Sequence, residues 1–323
     1  MNKLTTYSSL VQEELGEIEE LMRAQAAGQQ PDLAAAMQLL LRAGGKRIRP
    51  TITLLVGRSL GAKRENLITL GAAIELLHTA TLVHDDLIDG ALLRRGTPTL
   101  NSQWSPAATV LTGDYLFACA AKLASDTGSL AAMNMFSRTL QTIVNGEISQ
   151  LFNSRCRPDR EAYFQRIYAK TASLFETCAA TAAMVANASA DAIEAARSFG
   201  YHIGIAFQII DDILDFTEDS ETLGKPSGSD LRQGIVTLPV IDYIERHPEQ
   251  PQSYKLLLGE CLGTDQEVEG FIQAVRDSSS IGEARAQARR HLETGLAVLT
   301  RLPQVEEITS LAELVSQTVD RRY

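Results

Sequence analysis

An all-α fold is what this sequence predicts: one large helical bundle over residues 1–323, of about a dozen helices. Three observations carry that expectation. Apolar residues recur three and four apart through most of the chain, and strand-like alternation is sustained nowhere. Ala and Leu lead a hydrophobic fraction of 45%. At 323 residues the chain is long enough to bury a substantial core.

The first element is an acidic amphipathic helix over residues 6–24, with Leu10, Leu15, Ile18 and Leu21 as its buried stripe. Gln25–Gln30 is a polar break, and Pro31 opens a second helix through Leu41. Gly44-Gly45-Lys46-Arg47-Ile48-Arg49-Pro50 follows. Its glycines end the helix and let backbone approach a ligand, while Pro50 suits the first turn of the next helix, 49–60. A long apolar helix then runs from 65 through Asp89, followed by a loop carrying Arg94-Arg95-Gly96 and the turn signal Thr97-Pro98. Helices are predicted over 106–125, 129–153, 160–187 and 190–217. In the last of these Gly204, Gln208, Asp211 and Asp215 share a face. The polar stretch Leu223–Asp230 reads as a flap over a site. Shorter helices reach the C-terminus, broken at Pro248, Pro251, Gly263, Gly282 and Pro303.

Charge and cysteine usage narrow the function classes. A net charge of −10 without a long basic block excludes a nucleic-acid binder. Cys119, Cys156, Cys178 and Cys261 show no metal-binding spacing and read as reduced thiols of a cytoplasmic protein. Glu13, Glu14, Glu17, Glu19 and Glu20 make the N-terminus unlike a signal peptide. No uninterrupted apolar run approaches the roughly 20 residues of a transmembrane span.

The chemistry centres on Asp85-Asp86-Leu87-Ile88-Asp89. Asp85 and Asp89 share a helix face, and Asp86 lies about 100° round from Asp85. Like charges so spaced repel, so one such motif reads equally as a solvated helix end or as half of a cation site. A second copy, Asp211-Asp212-Ile213-Leu214-Asp215, has the same internal spacing. Two such clusters supply hard oxygen ligands suited to Mg²⁺, an ion that takes a few carboxylates together with phosphates and water. Scattered cations accompany them: Lys46, Arg47, Arg49, Arg94, Arg95, Lys170 and Lys225. Carboxylates, a divalent ion and separate basic residues describe a site for diphosphate esters. The absence of a G-x-x-x-x-G-K-[ST] loop argues against a nucleotide triphosphatase.

These motifs resemble those of the all-trans polyprenyl diphosphate synthases, and the likeness runs from about Gly44 to about Pro239. It rests on GGKRIRP at 44–50, HTATLVHDDLID at 78–89, RRG at 94–96, GE-x-x-Q at 146–150, KTA at 170–172, FQIIDDILD at 207–215 and GK-x-x-G-x-DL at 224–231. The resemblance implies an isoprenoid synthase-like fold, with the helices around a central cavity, and a Mg²⁺-dependent condensation of isopentenyl diphosphate with an allylic diphosphate. It places Lys46, Arg49, His78 and Arg95 on the isopentenyl diphosphate, and Arg94, Lys170 and Lys225 on the allylic diphosphate. Asp85, Asp89 and Asp211 become metal ligands, for about three Mg²⁺ with substrate bound, and Asp86, Asp212 and Asp215 outer-shell partners. Thr171 and Gln208 stand beside the reacting carbons.

Small residues before Asp85, namely Ala80 and Thr81 with Leu77 a turn deeper, leave an apolar tunnel open to a product of about C25–C50. A shorter-chain synthase and a non-catalytic partner subunit are the alternatives. One departure stands out, since Ile235 occupies a position where shorter-chain members often carry lysine. The resemblance further implies a homodimer and a transient membrane contact for product release.

Overall fold

The computed structural model describes residues 9–42, 45–94, 96–152, 155–218 and 227–319. A 3-10 turn, Ser9–Val11, leads into α1 (Gln12–Ala24). Leu15 and Ile18 are buried as predicted, with Val11 of the turn and Met22 in place of Leu10 and Leu21. Ion pairs join this helix to its neighbours. Glu14 turns inward to Arg58 at 3.2 Å, and Glu19 lies 3.1 Å from Arg47. α2 (Pro31–Arg42) and α3 (Ile48–Ser59) follow, then α4 (Arg64–Ile88). Gly71 is where α1, α3 and α4 crowd together, for a Cβ there would stand 2.6 Å from Ile18 Cδ1 and 3.6 Å from the Pro50 Cβ.

With 25 residues, α4 is long and apolar enough by composition to cross a bilayer, a candidate missed by counting uninterrupted apolar runs. Two-thirds of its apolar window, 67%, is buried inside the protein, and its last turn carries Asp85 and Asp86. It is a core helix. After it, β1 (Leu93–Arg94) and β2 (Thr97–Pro98) pair antiparallel, Arg94 opposite Thr97, with Gly96 at φ +73° in the turn. α5 (Leu100–Gln103), α6 (Pro106–Asp126) and α7 (Leu130–Phe152) come next. Ser105 caps α6 by accepting from the Ala108 N–H at 3.3 Å.

The helix predicted over 160–187 is interrupted. α8 (Arg160–Ile167) widens into a π-helical turn, Tyr168–Ala172, before α9 (Ser173–Val185) resumes the ordinary pitch. α10 (Ala190–Thr217) carries the second aspartate motif. The C-terminal elements are α11 (Ser229–Arg232), α12 (Leu238–Arg246), α13 (Pro251–Leu257), α14 (Asp265–Asp277), α15 (Ser280–Leu299) and α16 (Glu306–Val319).

Cα packing divides the chain into two compact units. The first comprises Met1–Leu140, Leu174–Gly200 and Leu296–Val315; the second comprises Gln141–Ser173, Tyr201–Gly295 and Ser316–Tyr323. Within the first, a Cβ on Gly200 would meet the Phe175 carbonyl oxygen at 2.5 Å, so α9 and the start of α10 pack backbone to backbone. Within the second, the expectation of reduced cysteines fails for one pair. Cys156 and Cys261 are disulfide-bonded, with Cα atoms 5.1 Å apart across 105 residues of sequence. That separation leaves no local spacing to read. Cys119 and Cys178 are free and buried.

Candidate active site

In the first unit, α4 builds the site by its periodicity. His78, Thr81, Leu82 and Asp85 are half-buried and Asp89 is exposed, a stripe at spacings of three, one, three and four along one helix face. Ala80 and Leu77 lie off that stripe and are fully buried. Asp86, also off it, is buried and takes the Arg94 guanidinium in a forked pair, Nε to Oδ1 at 2.9 Å and Nη2 to Oδ1 at 2.8 Å. The two-residue hairpin is what brings Arg94 back over the end of α4.

Before α3, Lys46 is exposed. Arg49 Nη1 lies 3.1 Å from His78 Nε2, with its guanidinium 4.8 Å from the Phe175 ring centroid. An arginine only donates, so His78 Nε2 accepts and the neutral ring carries its proton on Nδ1. Arg47 departs from the expectation of a cradle for substrate. Its backbone is left-handed at φ 47°, and its side chain goes to Glu75 at 2.7 Å and Glu19 at 3.1 Å. Glu75 is buried in α4, and nothing in the local sequence singles it out. Arg95 lies outside the described residues.

In the second unit, the π turn and α10 place four polar side chains in one chain of hydrogen bonds. Thr171 Oγ1 donates to Gln208 Oε1 at 2.6 Å, and Gln208 Nε2 donates to Asp212 Oδ1 at 2.8 Å. The Tyr163 hydroxyl donates to Asp212 Oδ2 at 2.7 Å. Burial, and then Asp230, push the Asp212 carboxyl up to about 7 against the pull of Tyr163, Gln208 and Arg166. Burial and the Asp212 charge raise Tyr163 well above the ordinary tyrosine value. Asp215 is buried, and the turn after the flap wraps it. Its carbonyl accepts from Gly228 N–H at 2.8 Å and its Oδ2 from Asp230 N–H at 3.2 Å. Asp211 is the half-exposed member of this motif. Tyr163 was not singled out by the sequence reading. No local pattern marks it, since it is fully buried while Lys170, beyond it in the π turn, is exposed.

Lys170, in the π turn, is exposed and lies 2.9 Å from Glu147 of α7. Gly146 permits that meeting, since a Cβ there would stand 2.6 Å from the Ala169 Cβ. Lys225 and most of the glycine-rich flap lie outside the described residues. Ile235 N–H donates to the Asp230 carbonyl at 2.8 Å, so its backbone helps close the turn around Asp215.

Among the described residues, no three His, Cys, Asp or Glu side chains form a metal cluster on their own. The donors on offer in each motif are carboxylate oxygens, with Asp85 and Asp89 the more open members of the first and Asp211 of the second. Such donors suit a hard divalent cation completed by phosphate oxygens and water.

The family model for polyprenyl synthetases matches residues 30–275. Heptaprenyl diphosphate synthase component 2 of Geobacillus stearothermophilus is 36% identical over 323 residues, covering 99% of this chain and 100% of that protein. Octaprenyl diphosphate synthase of Escherichia coli (strain K12) is 35% identical over 284 residues, 86% of this chain and 87% of that one. Among solved structures, a polyprenyl synthase from Caulobacter crescentus CB15, complexed with calcium and isoprenyl diphosphate, superposes with a TM-score of 0.92. It is 32% identical, with 99% of this chain and 98% of that chain covered.

Proposed function

Since the chain belongs to the polyprenyl synthetase family, we propose that it is a trans-prenyltransferase making a long-chain all-trans polyprenyl diphosphate from isopentenyl and allylic diphosphates. The observation that carries this reading is the state of the two aspartate motifs. Each has a buried carboxylate held in the fold, Asp86 by Arg94 and Asp212 by Tyr163 and Gln208, next to more solvent-accessible ones, Asp85 and Asp89 in the first motif and Asp211 in the second.

In this reading Lys46, Arg49, His78 and Arg95 hold isopentenyl diphosphate. Arg94, Lys170 and Lys225 take the allylic diphosphate, Arg94 and Lys170 sharing charge with the carboxylates they already touch. Asp85, Asp89 and Asp211 hold the divalent ion, taken as Mg²⁺, with Asp86, Asp212 and Asp215 behind them. An ion bound there would offset charge developing on the leaving diphosphate. The allylic C1–O bond breaks with its electron pair leaving on the diphosphate. The terminal alkene carbon of isopentenyl diphosphate then bonds to C1, leaving positive charge on C3, and the C2 methylene beside it loses a proton to the departing diphosphate, its C–H electron pair forming the new C2=C3 double bond. Thr171 and Gln208 border the cation, and a water-free site protects it.

For product length we place Ala80, Thr81 and Leu77 along the growing chain, with Thr81 on the same stripe as Asp85. Ala80→Phe is expected to shorten the product ladder. The decisive assay incubates the purified chain with farnesyl diphosphate, labelled isopentenyl diphosphate and Mg²⁺, followed by chromatography of the extract. A linear ladder of long products supports the reading; a cyclic hydrocarbon or no elongation overturns it.

A second reading comes from the relative named component 2, which this chain matches end to end. The chain would then be one subunit of a two-component synthase. A homodimer is the first expectation. The exposed stripe Val144, Ile148, Leu151 and Phe152 on α7 supports a partner of either kind. Sedimentation of the pure chain alongside the assay separates them: an active homodimer excludes a required second component.

A further inference from the structure

The chain of hydrogen bonds at Asp212 has a direction, and that direction bears on the reaction. Each proton in it points toward Asp212. Thr171 gives its hydroxyl proton to Gln208 at 2.6 Å, the Gln208 amide N–H goes to Oδ1 at 2.8 Å, and Tyr163 gives its own proton to Oδ2 at 2.7 Å. Thr171 is therefore left with oxygen lone pairs to offer to anything that reaches it and no proton. Gln208 holds its amide in this sense only while Asp212 accepts from the NH₂ end. A flipped amide would turn N–H toward Thr171 and free the threonine proton to point elsewhere.

Asp212 is in turn held from its second oxygen by Tyr163, which is fully buried and packed edge-on against Phe164 with ring centroids 5.2 Å apart. The carboxylate has few other places to go. A tyrosine at the end of such a relay does more than fill space. A carbocation is stabilised by acceptor oxygens and repelled by N–H and O–H dipoles, so the sense of the relay decides whether the site helps or hinders.

We propose that Tyr163 is a positioning residue, one that pins Asp212 and thereby sets Gln208 and Thr171 to face the allylic cation with lone pairs and not with protons. This rests on the prenyltransferase reading and deepens it. The substrate class it requires is one that develops positive charge on carbon; an anionic intermediate would want the opposite polarity.

The test is a double-mutant cycle in the full chain. Tyr163→Phe keeps the ring and removes the hydroxyl. It is expected to lower kcat about 10-fold or more, the scale of a buried hydrogen bond to a charged acceptor, while KM for isopentenyl diphosphate stays unchanged. Thr171→Val removes the end of the relay. In that background Tyr163→Phe should cost almost nothing further in kcat, because the two act through one path. Equal fold-losses in both backgrounds would reduce Tyr163 to a structural role and overturn the proposal, as would a kcat within two-fold of the parent. Should Tyr163→Phe not fold, Asp212→Asn enters the same cycle. Its amide cannot accept from both Tyr163 and Gln208, so it too should lose its effect beside Thr171→Val, and multiplicative losses would again overturn the proposal. The parent chain is assayed in parallel. Absence of elongation there is a failure of the functional reading itself, distinguishable from any outcome of the cycle.

Discussion

Arg47 shows how a residue's type can advertise one role while its surroundings assign another. Three cations in four residues beside glycines read as a diphosphate cradle, yet Arg47 spends its charge on Glu75, which is buried at 5% exposure. Removing one partner of such a pair strands the other in low dielectric. Arg47→Ala is therefore expected to cost about 3–5 kcal/mol in urea unfolding, and Arg47→Met with Glu75→Leu to recover most of it. A loss under 1 kcal/mol for the single variant would show the pair to be dispensable. His291 makes a second case. It sits with its Nδ1 3.0 Å from His202 Nδ1, and burial, then His202 and Arg290, lower it to about 4. The unfolded chain, titrating near 6.5, binds the proton more readily, so stability falls as pH drops from about 6.5 toward 4. Phe164 and Tyr201 also face this ring and bring no charge at these pH values. His291→Gln should flatten the melting temperature across that window, and an unaltered slope would assign the acid sensitivity elsewhere. Arg49, His78 and the aspartates were legible in the sequence because motif and spacing mark them. Glu75 and Tyr163 were not, since each acts through a partner distant in sequence and has no local pattern.

At the scale of elements, period carried the reading far. The sequence placed α4 and α10 with ends within a residue of those observed, because both are long and apolar, α4 around most of its circumference. What period could not show was the π turn Tyr168–Ala172, for an added residue in one turn leaves composition unchanged. That turn is where Lys170 and Thr171 sit, and such bulges occur often at functional positions. Its seat depends on Gly146. Gly146→Val would drive side-chain atoms into Ala169, whose Cβ already lies 2.6 Å from the place a Cβ would take. The expected outcome is a loss of about 1–3 kcal/mol from overpacking, together with reduced turnover as Glu147 and Lys170 part. Full turnover at unchanged stability would mean that α7 yields there at no cost. The hairpin Leu93–Pro98 also escaped the sequence reading, since two-residue strands are too short to alternate. Arg94, which it delivers to Asp86, did not.

Over the whole molecule, the largest feature beyond sequence reach is the bond between Cys156 and Cys261. It encloses the second aspartate motif, the flap and α11 through α13 in one covalent loop with a separation of 105 residues. The loop bears directly on the chemistry. Cys156 N–H donates to the Gly234 carbonyl at 2.8 Å, and a Cβ on Gly234, at φ +77°, would meet Cys156 Sγ at 2.8 Å. Gly234 closes the same turn whose Asp230 N–H reaches Asp215. Loop entropy puts the stabilisation near roughly 4–5 kcal/mol for a loop this long. Titration of the denatured, unreduced chain should therefore find two thiols, Cys119 and Cys178, and Cys156→Ser should lower the melting temperature of the oxidised protein by several degrees. Because the redox compartment decides whether such a bond persists, the same comparison with and without dithiothreitol reports which state is the working one. If reduction leaves the melting temperature and the KM for allylic diphosphate untouched, the bond contributes nothing to the turn around Asp215. If both move together, stability and the second aspartate motif are coupled through Gly234.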